Sequence, residues 1–66
     1  MSRSLEDWEL WSAAIMVVRQ HGDQAPTFVA ERIAALALAS DHRGIEAWKQ
    51  IAARIEQLLD QSPAKH

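Results

Sequence analysis

The stretch RQHGDQAPTF, residues 19–28, decides how the chain is divided. Gly22 is placed to adopt the left-handed conformation that ends a helix, and His21 precedes it where the helix dipole favours a positive or polarisable side chain. Pro26 suits the first turn of a following helix, because its φ is fixed and it lacks an amide hydrogen. The stretch therefore predicts a helix end, a tight turn and a helix start.

A second division, ASDHRG at residues 39–44, gives the chain three helices. Each helix is preceded by a candidate N-cap position. Ser4 is the candidate for the first helix, Asp23 or Ala25 for the second, and Asp41 for the third. The serine and aspartate side chains can accept hydrogen bonds from the free amide groups of the first turn. The helices are expected at about residues 5–21, 26–40 and 42–60, with a frayed tail at 61–66. Residues 1–66 are thus predicted to be one all-α domain, a compact three-helix bundle completed by self-association.

Composition narrows the classes of function. A domain of 66 residues buries only about 60% of its unfolded surface, so its stability is marginal. The chain has no cysteine, which excludes disulfides and thiolate metal sites. Seven Lys and Arg against nine Asp and Glu, without a basic block, argue against nucleic acid as a partner. The first residues are acidic and no apolar run is long enough for a membrane span, so a cytoplasmic protein is expected.

The third helix has one apolar face and one polar face. At 100° per residue, its large apolar side chains fall on one arc, and its charged and amide side chains fall opposite. This pattern predicts an ordinary surface helix. The apolar arc consists of Ile45, Trp48, Ile51, Ala52, Ile55, Leu58 and Leu59, and the polar side of Glu46, Lys49, Gln50, Glu56, Gln57 and Asp60.

The first two helices are apolar on nearly all sides, which one small core cannot cover. On the first helix we assign Trp8, Trp11, Ile15 and Val18 to the core, and on the second Val29, Ile33, Leu36 and Ala37. The remaining apolar side chains are expected to form an interface with a second copy or with another protein. The alternative is that they are merely exposed, which is common for single residues. The predicted interface comprises Leu10, Ala13, Ala14, Val17, Phe28, Ala35 and Leu38.

The three tryptophans, Trp8, Trp11 and Trp48, are all expected in the core. Trp8 has an alternative, because it lies one turn from the start of its helix. There its indole N–H could reach water at the rim of an interface.

The sequence predicts a small non-catalytic interaction module, and two chemical functions are the alternatives. His21 and Asp23 could serve as metal ligands or a general base pair, with Asp41, His42 and Glu46 from the second division, but a helix of about 22 Å separates the two turns. The second and third helices could also form a helix-turn-helix, with Arg43, Lys49 and Arg54 on DNA, although acidic residues lie among these cations. We therefore expect no enzyme, no cofactor, no metal and no membrane partner.

Residues 18–58 contain a Q-H-G-D-x-A-P turn, an A-E-R-I segment and a W-x-x-I-A-x-R run. With these three motifs the chain resembles a family of small alphaproteobacterial proteins of unknown function, whose members often have glycine where this chain has Ser40. The resemblance implies a small helical domain and no activity. The matching positions are Gln20, His21, Gly22, Asp23, Ala25, Pro26, Ala30, Glu31, Arg32, Ile33, Trp48, Ile51, Ala52 and Arg54.

Overall fold

The structure, a computed structural model, describes residues 6–60 and contains three α-helices. Helix α1 spans Asp7–His21, α2 spans Ala25–Leu38 and α3 spans His42–Asp60. A single 3-10 turn, Gly22–Gln24, joins α1 to α2. The expected all-α fold of three helices is confirmed, and the expected bounds of α3 are the observed ones.

Helix α1 begins later than expected, at Asp7 rather than at residue 5. Glu6 is extended, with φ −75° and ψ 158°, and is the N-cap residue. Its backbone N–H donates a 2.7 Å hydrogen bond to Oε1 of Glu9, as in a capping box. Ser4, the expected cap, lies outside the described residues, as does the tail at 61–66.

Gly22 ends α1 with a positive φ of 56°, as expected, and its N–H donates to the carbonyl of Val18. Its ψ of −128° differs from the left-handed helical value that we predicted, and this combination is open mainly to glycine. Helix α2 starts one residue early, and its N-cap is Gln24 rather than Asp23 or Ala25. Pro26 lies in the first turn, where its missing N–H leaves no helical bond unmade.

Helix α2 ends at Leu38, two residues before the expected end, because Ser40 has a φ of +57°. The Ser40 N–H donates to the carbonyl of Ala37, and the Asp41 N–H donates to that of Leu36. These two bonds form a Schellman motif, in which the position of Ser40 normally holds glycine.

The expected cap of α3 is confirmed, since Oδ1 of Asp41 accepts a 3.0 Å hydrogen bond from the N–H of Gly44. A Cβ on Gly44 would lie 2.8 Å from Oδ2 of Asp41, so the glycine makes room for the capping carboxylate. Glycine lowers the helix propensity at position 44, but it allows the Asp41 carboxylate to cap the N-terminus of α3.

Helix α3 holds the fold together, because it packs extensively against both α1 and α2, which contact each other less. Its apolar arc faces the core as predicted, with Ile51 and Ile55 buried, and the six polar side chains assigned to its other side are exposed. The buried core consists of Leu10, Ala14, Val17, Ala25, Val29, Ile51 and Ile55.

Most residues of the two apolar stripes of α1 were assigned to the wrong sides, although Val18 packs against the core as expected. Leu10, Ala14 and Val17, which we expected at an interface, are 3%, 0% and 8% exposed and form the α1 side of the core. Trp8 and Ile15, which we expected in the core, are 66% and 43% exposed. Small and medium side chains allow α1 to approach α3 closely, which a row of tryptophans would prevent.

Candidate functional site

A ladder of stacked side chains joins the turn to all three helices. The imidazole of His21 stacks on the ring of Phe28, with centroids 4.2 Å apart and an interplanar angle of 16°. Phe28 meets Trp48 edge to face at 6.0 Å, and the guanidinium of Arg32 lies 6.0 Å from the centre of the Trp48 ring. The ladder links the end of α1 to α2 through His21 and Phe28, and α2 to α3 through the contacts with Trp48.

The turn residues therefore have structural roles. The prediction of a helix end, a tight turn and a helix start is confirmed by α1, Gly22–Gln24 and α2. Gly22, Asp23 and Pro26 are exposed, whereas His21 is half-buried against Phe28. In residues 6–60, no three His, Cys, Asp or Glu side chains come close enough to hold a metal ion. The aromatic contact of His21 could not be inferred from its position at a helix end.

The seven predicted interface residues do not share one surface. Leu10, Ala14 and Val17 are buried, and Ala13 and Phe28 are half-buried against the core. Ala35 and Leu38 are exposed, and Leu38 keeps 90% of its surface in solvent. Only Ala35 and Leu38 of the predicted set are therefore exposed to a partner, and Ala37, which we expected in the core, is exposed as well.

The available apolar surface on α1 lies on the side away from the core. We call Trp8, Ser12, Ile15 and Arg19 the outer face of α1; all four are exposed, and they recur at intervals of four, three and four residues. Met16, 53% exposed, lies beside them. The sequence contains a signal for this arrangement that we missed: Ser12 and Arg19 fall within the arc of Trp8 and Ile15, and turning that arc inward would bury polar groups.

The other two tryptophans are half-buried, each beneath an arginine. The guanidinium of Arg54 lies 5.5 Å from the centre of the Trp11 ring and bonds to the carboxylate of Asp7 at 2.5 Å. The Nε of Arg54 is buried without a hydrogen-bond partner, so this side chain is held by its other contacts. Arg54 thus ties the start of α1 to α3. Of the three tryptophans expected in the core, Trp48 packs against it, whereas Trp11 is half-buried beside Arg54 without being part of it, and Trp8 is exposed.

A known protein family matches the part of the chain that contains the three helices. The model of DUF6961, a family of unknown function, matches residues 6–63. The chain belongs to DUF6961. The match includes all three helices, and it confirms that the chain resembles a family without an assigned function. No curated protein and no solved structure matches the chain. The alphaproteobacterial origin and the three motifs that we associated with the family stay predictions.

Several motif positions of this DUF6961 member are explained by packing. His21, Arg32 and Trp48 belong to the ladder, and Arg54 lies over Trp11. Ile51 is a core residue. None of the helices in the described part of the chain is long and apolar enough to cross a membrane.

Proposed function

We propose that this DUF6961 member is a small, non-catalytic helical interaction module of the bacterial cytoplasm, which homodimerises or docks on a partner protein. The observation that supports the proposal is the amount of large apolar surface outside the core. Trp8, Met16 and Leu38 are 66%, 53% and 90% exposed, whereas only seven residues of the described range 6–60 form the buried core. Trp8 and Met16 lie on one side of α1 together with Ile15, and clustered exposed apolar side chains of this kind are typical of protein interaction surfaces.

Packing also favours an interaction module over a catalytic one. The residue that the sequence offered for chemistry, His21, uses its ring face against Phe28. In a domain this small, each such contact is a sizeable share of the total stability. The turn is therefore better explained as a device that sets helix geometry than as a site for a reaction.

Nucleic-acid binding by α2 and α3 is the alternative, and ion pairing disfavours it. Of the three cations that could contact phosphates, Lys49 lies 3.6 Å from the carboxylate of Glu46, and Arg54 bonds to Asp7. Neutralising phosphate would require these pairs to separate. A gel-shift assay that found tight, salt-sensitive DNA binding at low salt would reverse this preference.

The test combines the solution mass of the chain with the proteins that it retains from native cytosol. Two variants probe the two exposed apolar regions, Ile15→Glu on α1 and Leu38→Glu on α2. Loss of self-association or of a retained protein in either variant supports the proposal and locates the surface. A parent that stays monomeric and retains nothing refutes it. Glutamate at Leu10 or Val17 is unsuitable here, because both side chains are buried and the variants should unfold.

A further inference from the structure

The outer face of α1 has the spacing of a helix-pairing seam. Intervals of four, three and four residues from Trp8 to Arg19 are those of the a and d positions of a heptad repeat. The opposite side of α1 is filled by the core residues Leu10, Ala14 and Val17. A second helix can therefore lie along the outer face without disturbing the packing on α3.

We propose that two copies of the chain associate by antiparallel pairing of their α1 helices, with Trp8 of each copy beneath Arg19 of the other. This inference rests on the proposed function and names its partner, a second copy. In this register Ser12 of each copy meets Ile15 of the other. The two-fold axis therefore relates two identical halves, each made of one Trp8–Arg19 contact and one Ser12–Ile15 contact.

Charge along α1 favours the antiparallel orientation. The first turn contains Asp7 and Glu9, and the last turn contains Arg19 and His21. Antiparallel pairing places the basic end of each helix beside the acidic end of the other and opposes the two helix dipoles. Parallel pairing would instead place Arg19 against Arg19 and acidic turn against acidic turn.

Side-chain size and chemistry favour a second copy as the occupant. Trp11 and Trp48 each have an arginine over the ring, and between residues 6 and 60 no arginine lies over Trp8. Arg19 is on the same helix as Trp8 but eleven residues away, about 16 Å along the axis. Only another copy brings an Arg19 guanidinium onto the Trp8 ring. The small Ser12 side chain leaves room for the partner copy's Ile15.

A seam of four residues per helix buries less surface than a standard interface of about 1,200–2,000 Å². We therefore expect micromolar rather than nanomolar association. Sedimentation equilibrium over micromolar to sub-millimolar concentrations should show a monomer and dimer in exchange. Ile15→Glu and Arg19→Glu should each raise Kd about tenfold or more. Both sites are exposed, so the variants should keep the far-UV circular dichroism of the parent. Leu38→Glu, equally exposed but on α2, should leave Kd unchanged.

Orientation is tested by cross-linking, which a chain without cysteine makes clean. Trp8→Cys and Arg19→Cys chains, one isotopically labelled, are mixed and oxidised, and the disulfides are identified by mass. The antiparallel register predicts mainly the mixed disulfide. In the mixed dimer, the cysteine at position 8 of one chain lies opposite the cysteine at position 19 of the other. At the opposite end of the interface, the remaining Arg19 and Trp8 form their native contact. Disulfides between like chains would overturn the register, since cysteines must approach within about 7 Å to react.

The two proposals fail in different ways. A parent that is monomeric at every concentration, or an Ile15→Glu variant that dimerises like the parent, overturns the pairing through α1. The proposed function falls only if the parent is monomeric and also retains no cytosolic protein.

Discussion

Replacing Ser40 by glycine should stabilise the fold, although it removes a side chain. Ser40 has a φ of +57° and is the one residue other than glycine with a positive φ in residues 6–60. Its N–H and that of Asp41 make the two hydrogen bonds that close α2, to Ala37 and Leu36. The chain thus holds a residue with a Cβ in a conformation that glycine adopts freely.

The magnitude follows from two opposing terms. The left-handed conformation costs a residue with a Cβ about 1–2 kcal/mol. Glycine has more freedom to lose from the unfolded chain, which offsets about 0.5–1 kcal/mol of that gain. The free energy of unfolding should therefore rise by about 0.75 kcal/mol, the midpoint of a range of about 0–1.5 kcal/mol, and Tm should rise by roughly 3–6 °C for a domain of this size.

The assay is thermal and urea unfolding followed by circular dichroism, at one protein concentration so that self-association affects all variants equally. Ala39→Gly is the matched control. Ala39 precedes Ser40 but has an ordinary φ of −89°, so glycine there should lower stability by about 0.5–1 kcal/mol. A Ser40→Gly variant no more stable than the parent, beside a destabilised Ala39→Gly, would refute the assignment of strain to Ser40.

Other substitutions test the turn and the cap of α3. Gly22→Ala should lower the free energy of unfolding by about 1–3 kcal/mol in urea, because φ is +56° even though nothing lies within 4 Å of the added Cβ. Equal stability would mean that the turn has another conformation. Gly44→Ala should not bring the roughly 1 kcal/mol that this change normally gives in a helix, because the Cβ would press on the Asp41 carboxylate. Part of the gain should return in an Asp41→Ala background, in which only Cδ2 of Leu36, 3.2 Å from the added Cβ, stays close, and equal effects in both backgrounds would contradict the contact with Asp41. His21→Gln should cost about 0.5–1.5 kcal/mol in a thermal melt by removing the stack on Phe28. An unchanged melt would mean that the stack contributes nothing.

Local patterns in the sequence predicted most of the fold. Gly22, Pro26 and Asp41 each act through their own backbone neighbourhood, and all three lie where their chemistry indicated. The charged residues of α3 leave only one side of that helix free to face the core, so its orientation was predicted correctly. The missed end of α2 has the same local character, because a serine in place of glycine conceals the stop at Ser40.

The candidate surface on α1 was missed, because apolar periodicity identifies stripes without saying which one faces the core, and the polar Ser12 and Arg19 within the outer stripe were the one local signal that distinguishes them. On α1 both stripes are apolar, and hydrophobicity alone predicts that the stripe with the tryptophans faces the core. Packing against α3 determines which stripe is buried, and Ala14 is fully buried whereas Trp8 is exposed. The stack of His21 on Phe28 likewise depends on the angle between two helices, which no short stretch of sequence encodes.

The contact between Asp7 and Arg54 joins positions 47 apart in the sequence, whereas only residues 39–41 separate α2 from α3. Closing a short loop costs less chain entropy than closing a long one, so α2 and α3 should pair early in folding and α1 should dock last. During local unfolding of the native state, α1, the last helix to dock, is expected to be the first to detach. Its amide hydrogens should exchange with solvent before those of α3, and raising the protein concentration should slow that exchange if two α1 helices hold each other in place.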